Sequence, residues 1–243
     1  MRYQTRVFSN RSDMLDRLAD VLLHTVLDAL NKQDAFRLVI GGGRTQQALN
    51  SRIAALETPS LDWRRILIYL SDERCVPLNH AQSNFRLNVD TLIKPLGIPV
   101  GNFHRLDTTL SPARAAAKYA ELLAAIPRDT EGRLFDLSLL GLGPDGHTAS
   151  LFPGSPVLKE QKRLAAAAGP GPEGLERITL TYRALNASSK LWIMVTGKEK
   201  REPVSRLLNG PHEPKTCPAQ GIKPISKEIT LWLDRDAMTP NNH

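Results

Sequence analysis

The stretch Leu134-Phe135-Asp136-Leu137-Ser138-Leu139-Leu140-Gly141-Leu142-Gly143-Pro144-Asp145-Gly146-His147 decides the fold class. Phe135, Leu137, Leu139 and Leu140 read as a buried strand, and the glycines that follow end it. Asp145 and His147 then stand beyond the carboxyl end of that strand, where open α/β sheets bind ligands. The next residues carry Thr148 and Ser150, placed to cap a following helix.

Working outward, short apolar runs recur at Phe36–Ile40, Ile66–Leu70 and 191–195. Helical patterns separate them at 46–56 and 112–126. Leu15, Leu18, Leu22, Leu23, Val26 and Leu30 repeat at helical spacing, so 12–31 reads as an amphipathic helix capped by Ser12 or Asp13. This alternation predicts an open, mostly parallel sheet flanked by helices, Rossmann-like in type. A last run at 228–233 reads as an added edge strand near the C-terminus, before a polar tail. Residues 169–174, Gly-Pro-Gly-Pro-Glu-Gly, read as a surface loop outside regular structure. Pro203 interrupts the helical pattern at 198–208, so that helix starts near Glu202 or bends there.

With 243 residues the chain can bury a sizeable core, and 1–243 is expected to form one α/β domain. A composition of 41% apolar and 23% charged residues is that of a soluble globular protein. No apolar run approaches the roughly 20 residues of a membrane span, and the first twenty residues lack the apolar core of a secretory signal. A cytoplasmic protein without a membrane partner is expected. Cys75 and Cys217 lack any paired metal spacing and read as free thiols. The net charge of +7 comes from scattered Lys and Arg with only 5% aromatic residues, which favours an anionic small molecule over nucleic acid.

In a parallel sheet the ligand loops lie at one edge, so four motifs are expected to meet. The first, Gly41-Gly42-Gly43-Arg44-Thr45, lets backbone N–H groups surround an anion such as phosphate at a helix start. It is neither a dinucleotide fingerprint nor a Walker sequence. The second, Ser71-Asp72-Glu73-Arg74, places two acids and an arginine after a strand, with Arg74 beside Asp72 to hold it ionised. The third supplies His147 as a proton acceptor suited to neutral pH, with Asp145 to fix its tautomer. The fourth, Thr196-Gly197-Lys198-Glu199-Lys200, adds cations. A metal site built from Asp145, His147 and Asp72 has no zinc-like spacing, and none is expected.

These loops, in this order, resemble the 6-phosphogluconolactonase family over nearly the whole chain. The resemblance rests on Gly41 to Thr45, Asp72-Glu73-Arg74-Cys75-Val76-Pro77, Ser83-Asn84, Gly141 to Pro153, Arg177-Ile178-Thr179-Leu180-Thr181, Asn186, and Gly197 with Lys200. It implies hydrolysis of 6-phospho-D-glucono-1,5-lactone in the oxidative pentose phosphate pathway, with no cofactor. The phosphate is then expected among Gly42, Gly43, Arg44, Thr45, Arg177 and Lys200. His147, oriented by Asp145, would activate water; Asp72 would align substrate or water, and Arg74 or a backbone N–H would stabilise the oxyanion. Two alternatives are a sugar-phosphate isomerase or deaminase and a non-catalytic phosphosugar-binding protein. The related deaminase pattern carries a proton-relaying Glu where this chain has Phe152, and a phenyl ring cannot relay a proton. The chain also departs from the family's Ser-Gly-Gly-Ser-Thr-Pro loop, with Gly41, Arg44 and Gln46 at the Ser, Ser and Pro positions. Arg44 would replace hydroxyl contacts to phosphate by charge-assisted bonds.

Overall fold

A computed structural model describes residues 2–56, 58, 61–128 and 131–238. In chain order these form β1 (Arg2–Phe8), α1 (Arg11–Leu30), β2 (Phe36–Ile40), α2 (Gly43–Ala55), β3 (Ile66–Leu70), β4 (Asp72–Arg74), α3 (Asn84–Asn88) and β5 (Phe103–His104). There follow α4 (Pro112–Ala124), β6 (Phe135–Gly141), β7 (Ala165–Pro170), β8 (Glu176–Leu180), α5 (Tyr182–Asn186), β9 (Ser188–Val195), α6 (Arg201–Asn209) and β10 (Glu228–Asp234). Among the described residues, seven strands make one sheet in the order β1-β10-β9-β6-β2-β3-β5, every neighbouring pair parallel. A small antiparallel sheet, β4-β8-β7, stands apart from it.

The central strands are apolar along nearly their whole length, as a parallel sheet covered by helices requires. Phe36, Val39, Ile40, Ile66, Ile68, Leu70, Leu137, Leu139 and Ile193 are all buried. α1 buries Met14, Leu15, Leu18, Ala19, Leu22, Leu23, Val26 and Leu30, one stripe at helical spacing, against β10, β1, β2 and α2. Truncating one such side chain to Ala costs about 2–5 kcal/mol. α4 packs instead on β7 and β8 of the small sheet.

Several boundaries differ from the sequence reading. The α1 cap is Asn10, whose side chain accepts the Asp13 N–H at 3.0 Å, rather than Ser12 or Asp13. β10 is not an edge strand, because β1 pairs along its full length and takes the edge. Trp232 of β10 is consequently fully buried, with the Phe8 ring stacked 5.7 Å away. Gly169 and Pro170 belong to β7, past a bulge at Ala167/Gly169, and only 171–174 forms the turn into β8. No α-helix follows directly on His147, at 148–164. Thr148 bridges to Leu151, and a 3₁₀ turn at Pro156–Lys159 comes next, since Pro153, Gly154 and Pro156 interrupt any helix. α6 starts at Arg201, close to the expected Glu202. The polar tail at 239–243 lies outside the described residues, as does Met1. No described helix is long and apolar enough to cross a membrane.

The strand order also locates the crevice. From β2 the chain proceeds to β3 and β5 on one side, and from β6 it proceeds to β9 and β10 on the other. β2 and β6 are neighbours, so the loops leaving them diverge and open a gap at the carboxyl edge, the topological switch point.

Candidate active site

A cavity of about 740 Å³ fills that gap. It is lined by Gly42, Gly43, Arg44, Thr45, Asp72, Arg74, His147, Arg177 and Lys200, so these residues, drawn from five loops and strands, converge in one place. Asp145 stands behind His147 rather than on the wall, with its carboxylate Oδ1 2.5 Å from the imidazole Nδ1 and 3.2 Å from the His147 backbone N–H.

The loop that carries this pair is closed by Gly143 N–H to His147 O at 2.8 Å and Gly146 N–H to Gly143 O at 3.1 Å. The imidazole lies directly on Gly143, where a Cβ would come within 2.0 Å of Nδ1, so glycine is required there. The Phe152 ring covers the imidazole at a centroid distance of 4.7 Å. Burial raises the Asp145 carboxyl, but the hydrogen bond and charge of His147 and the backbone N–H groups outweigh it and hold the group below its ordinary range. Asp145 is therefore a carboxylate at neutral pH, accepting from Nδ1–H and leaving the Nε2 lone pair of the ring for another partner.

Asp72 is held differently from the sequence expectation. Its partners are hydroxyls, Ser71 Oγ at 2.8 Å and Ser150 Oγ at 2.7 Å, and not the Arg74 guanidinium. Ser150 thus ties the His147 loop to the start of β4 instead of capping a helix, and its own N–H donates to Thr179 Oγ1 at 3.1 Å. Thr148, the other expected cap, donates to Gly141 O at 2.9 Å. Glu73, turned away from the cavity, is buried and accepts from the N–H groups of Arg74, Asn84 and Phe85 at 2.7–2.8 Å. Burial raises its carboxyl and those bonds oppose the rise. Its function is to fix α3 against β4.

Arg11, Arg44, Arg74, Arg177 and Lys200 also line the cavity, alongside the carboxylates of Glu173, Glu199, Asp234 and Asp236. Arg74 and Arg177 are directly opposed across the β4–β8 pair, an arrangement that repels unless an anion lies between or beside them. Burial and the Arg74 charge push the Arg177 guanidinium down to about 10, still charged at neutral pH. Lys200 is lowered by burial, with Arg44 adding to the effect and Glu199 and Asp145 opposing it. α2 begins here at Gly43 with no side-chain cap on its first N–H groups, which leaves them for an anion. Thr45 and Thr196 hydroxyls meet at 3.2 Å and join the glycine loop to the β9 loop.

Other residues not expected at the site also line the cavity, Arg11, Ser150 and Glu173 among them. Arg11, at the start of α1, donates to Arg44 O at 2.8 Å and lines the cavity; nothing near it in sequence marks that position. Ser150 had been read as a cap, and Glu173, on the turn after β7, lay in the segment read only as a loop. Among the described residues no group of three or more His, Cys, Asp or Glu is arranged to hold a metal ion.

With this geometry in place, a family model described as glucosamine-6-phosphate isomerases/6-phosphogluconolactonase matches residues 9–232. The chain belongs to this family. The 6-phosphogluconolactonase of Thermotoga maritima is 37% identical over 206 residues, covering 84% of this chain and 86% of that relative. A crystal structure of the Thermotoga maritima 6-phosphogluconolactonase matches with a TM-score of 0.83 at 30% identity, over 96% of this chain and 100% of that one. The chain spans 65% of the length of chloroplastic 6-phosphogluconolactonase 3 of Arabidopsis thaliana, at 33% identity over 85% of its own length. It spans 29% of the human GDH/6PGL endoplasmic bifunctional protein, at 31% identity over 93% of its own length. Because the family description names both isomerases and lactonases, the site chemistry must separate the two.

Proposed function

We propose that the chain hydrolyses 6-phospho-D-glucono-1,5-lactone to 6-phospho-D-gluconate, the lactone-opening step of the oxidative pentose phosphate pathway. The observation that carries this reading is His147, with the Asp145 carboxylate 2.5 Å behind it, facing the same cavity as the uncapped start of α2 and the cations Arg44, Arg177 and Lys200. The phosphate sits among Gly42, Gly43, Arg44, Thr45, Arg177 and Lys200, which fixes the lactone ring against the His147 loop.

His147 Nε2 takes a proton from water as its oxygen attacks C1, and the carbonyl electrons move onto the carbonyl oxygen. Asp145 stabilises the imidazolium so formed. Arg74 or a backbone N–H of the glycine loops faces the oxyanion. Collapse breaks the bond from C1 to the ring oxygen, which receives the proton from Nε2; the acid product then ionises into solvent. Asp72, held by Ser71 and Ser150, aligns substrate or water. The protein itself supplies both the base and the oxyanion donor, so the reaction as proposed uses no cofactor.

Phe152 favours this reading over deamination, because the residue against the imidazole cannot move a proton. The test is disappearance of the lactone, made in situ from glucose 6-phosphate, with spontaneous opening subtracted. Enzyme-dependent loss of lactone without ammonia release from glucosamine 6-phosphate is expected. Tight phosphosugar binding with no turnover would instead make the chain a binding protein.

A further inference from the structure

The turn between β7 and β8 brings the Glu173 carboxylate into the cavity and against Arg177. Glu173 Oε1 pairs with Arg177 Nη2, and the Arg177 side chain is only 4% exposed against 32% for Glu173. Among the described residues, Glu173 is the only hydrogen-bond acceptor on that guanidinium, whose Nε is buried without a partner. Gly171 makes the contact sterically possible. A Cβ there would lie 2.9 Å from both Arg177 Nε and Glu173 Oε2. The turn is closed by Gly171 N–H to Leu175 O at 2.8 Å and Gly174 N–H to Gly171 O at 2.9 Å, so the carboxylate is held over Arg177 by backbone bonds local to the turn.

We propose that Glu173 is an internal counter-anion that occupies Arg177 in the empty site and is exchanged for an anionic group of the incoming ligand. This rests on reading the cavity as the site of a phosphorylated ligand. Arg74 and Arg177 face each other across β4 and β8, and burial makes their repulsion costly. A carboxylate beside them relieves that repulsion while the site is empty, and a phosphate oxygen or the acid group of the product relieves it when the site is filled. Glu173 takes the Arg177 Nη2 that faces the cavity, and like charge disfavours a ligand anion beside it, so Glu173 lowers the fraction of molecules ready to bind, and apparent affinity falls by that fraction. Glu173 is accordingly a determinant of KM and of product release. It takes no part in bond making.

The experiment measures binding of 6-phosphogluconate and of inorganic phosphate by calorimetry to the wild type, E173Q and D236N, alongside lactonase kinetics. Asp236 lines the same cavity but faces Arg201, with Oδ1 4.0 Å from Nη2, so D236N removes a negative charge without freeing Arg177. Releasing a partly exposed ion pair should tighten E173Q binding of 6-phosphogluconate about three- to tenfold. KM should fall by the same factor with kcat within about twofold, and D236N should not reproduce the change. Unchanged or weaker binding by E173Q, or equal tightening by D236N, would overturn the exchange. E173A is read in the same way if Gln disturbs the turn. Failure of the lactonase reading is distinct: the wild type would then show no turnover, while E173Q would still bind inorganic phosphate more tightly.

Discussion

Asp145→Asn keeps the size of the side chain and removes the charge that faces His147 Nδ1 across 2.5 Å. The imidazole and carboxylate side chains are 24% and 38% exposed, so water screens the pair and the deep-interior Coulomb limit does not apply. A hydrogen bond to a charged group is worth about 1.5–3 kcal/mol, and screening places this one in the lower part of that range. If the bond acts mainly on the imidazolium formed in the transition state, its loss should reduce kcat about 10- to 30-fold. Asn can also donate to Nδ1, which would turn the ring's proton toward the cavity and deepen the loss. KM should change little, because Asp145 does not line the cavity. The assay follows lactone loss above the spontaneous rate, with 6-phosphogluconate binding as a check on the fold. A folded D145N protein with wild-type kcat would refute the orienting role.

Three further substitutions test other parts of the site. Gly143→Ala places a Cβ 2.0 Å from His147 Nδ1 and should displace the imidazole; kcat should drop by at least about tenfold while far-UV circular dichroism stays unchanged, and retained activity would show that the ring's pose is irrelevant. Ser150→Ala removes a 2.7 Å bond to the buried Asp72 carboxylate, so urea unfolding should show a loss of about 1–3 kcal/mol, against nearly none for an exposed serine. Lys200→Gln should raise KM for the phosphorylated lactone and leave hydrolysis of unphosphorylated gluconolactone alone. Because burial lowers the Lys200 amine, the ammonium is lost on the alkaline side before an ordinary lysine near 10.4 would lose it. Wild-type binding of 6-phosphogluconate should therefore weaken on the alkaline side earlier than an ordinary lysine would dictate, and K200Q should lack that early limb. Identical alkaline limbs in the wild type and K200Q would contradict a phosphate contact by this lysine.

What the sequence made legible follows from burial. β2 and β3 emerged at their observed bounds because their side chains are apolar almost throughout, a pattern that the interior of a parallel sheet imposes. β1 escaped because it is an edge strand, with Gln4, Thr5 and Arg6 exposed and no alternation to mark it. The run that became β10 was visible, but its place between β1 and β9 depends on long-range pairing that local residues do not encode. The small sheet was hidden by Ala165 to Pro170, which have poor strand propensity, and by the brevity of β4. Within the site, the glycine loop, the Asp145–His147 turn and the cations could be located by their positions after strands. The partners of Asp72 could not, since Ser150 reaches it from 78 residues away. Arg11 and Glu173 enter the cavity from segments without any motif, one a helix start and the other a turn.

The most direct test of the account is His147→Ala, assayed for lactone loss above the spontaneous rate while 6-phosphogluconate binding is measured on the same preparation. Removing the base should lower kcat by about 10²- to 10⁴-fold with binding largely kept. A folded H147A protein that opens the lactone at near wild-type kcat would contradict the claim that this imidazole activates the water.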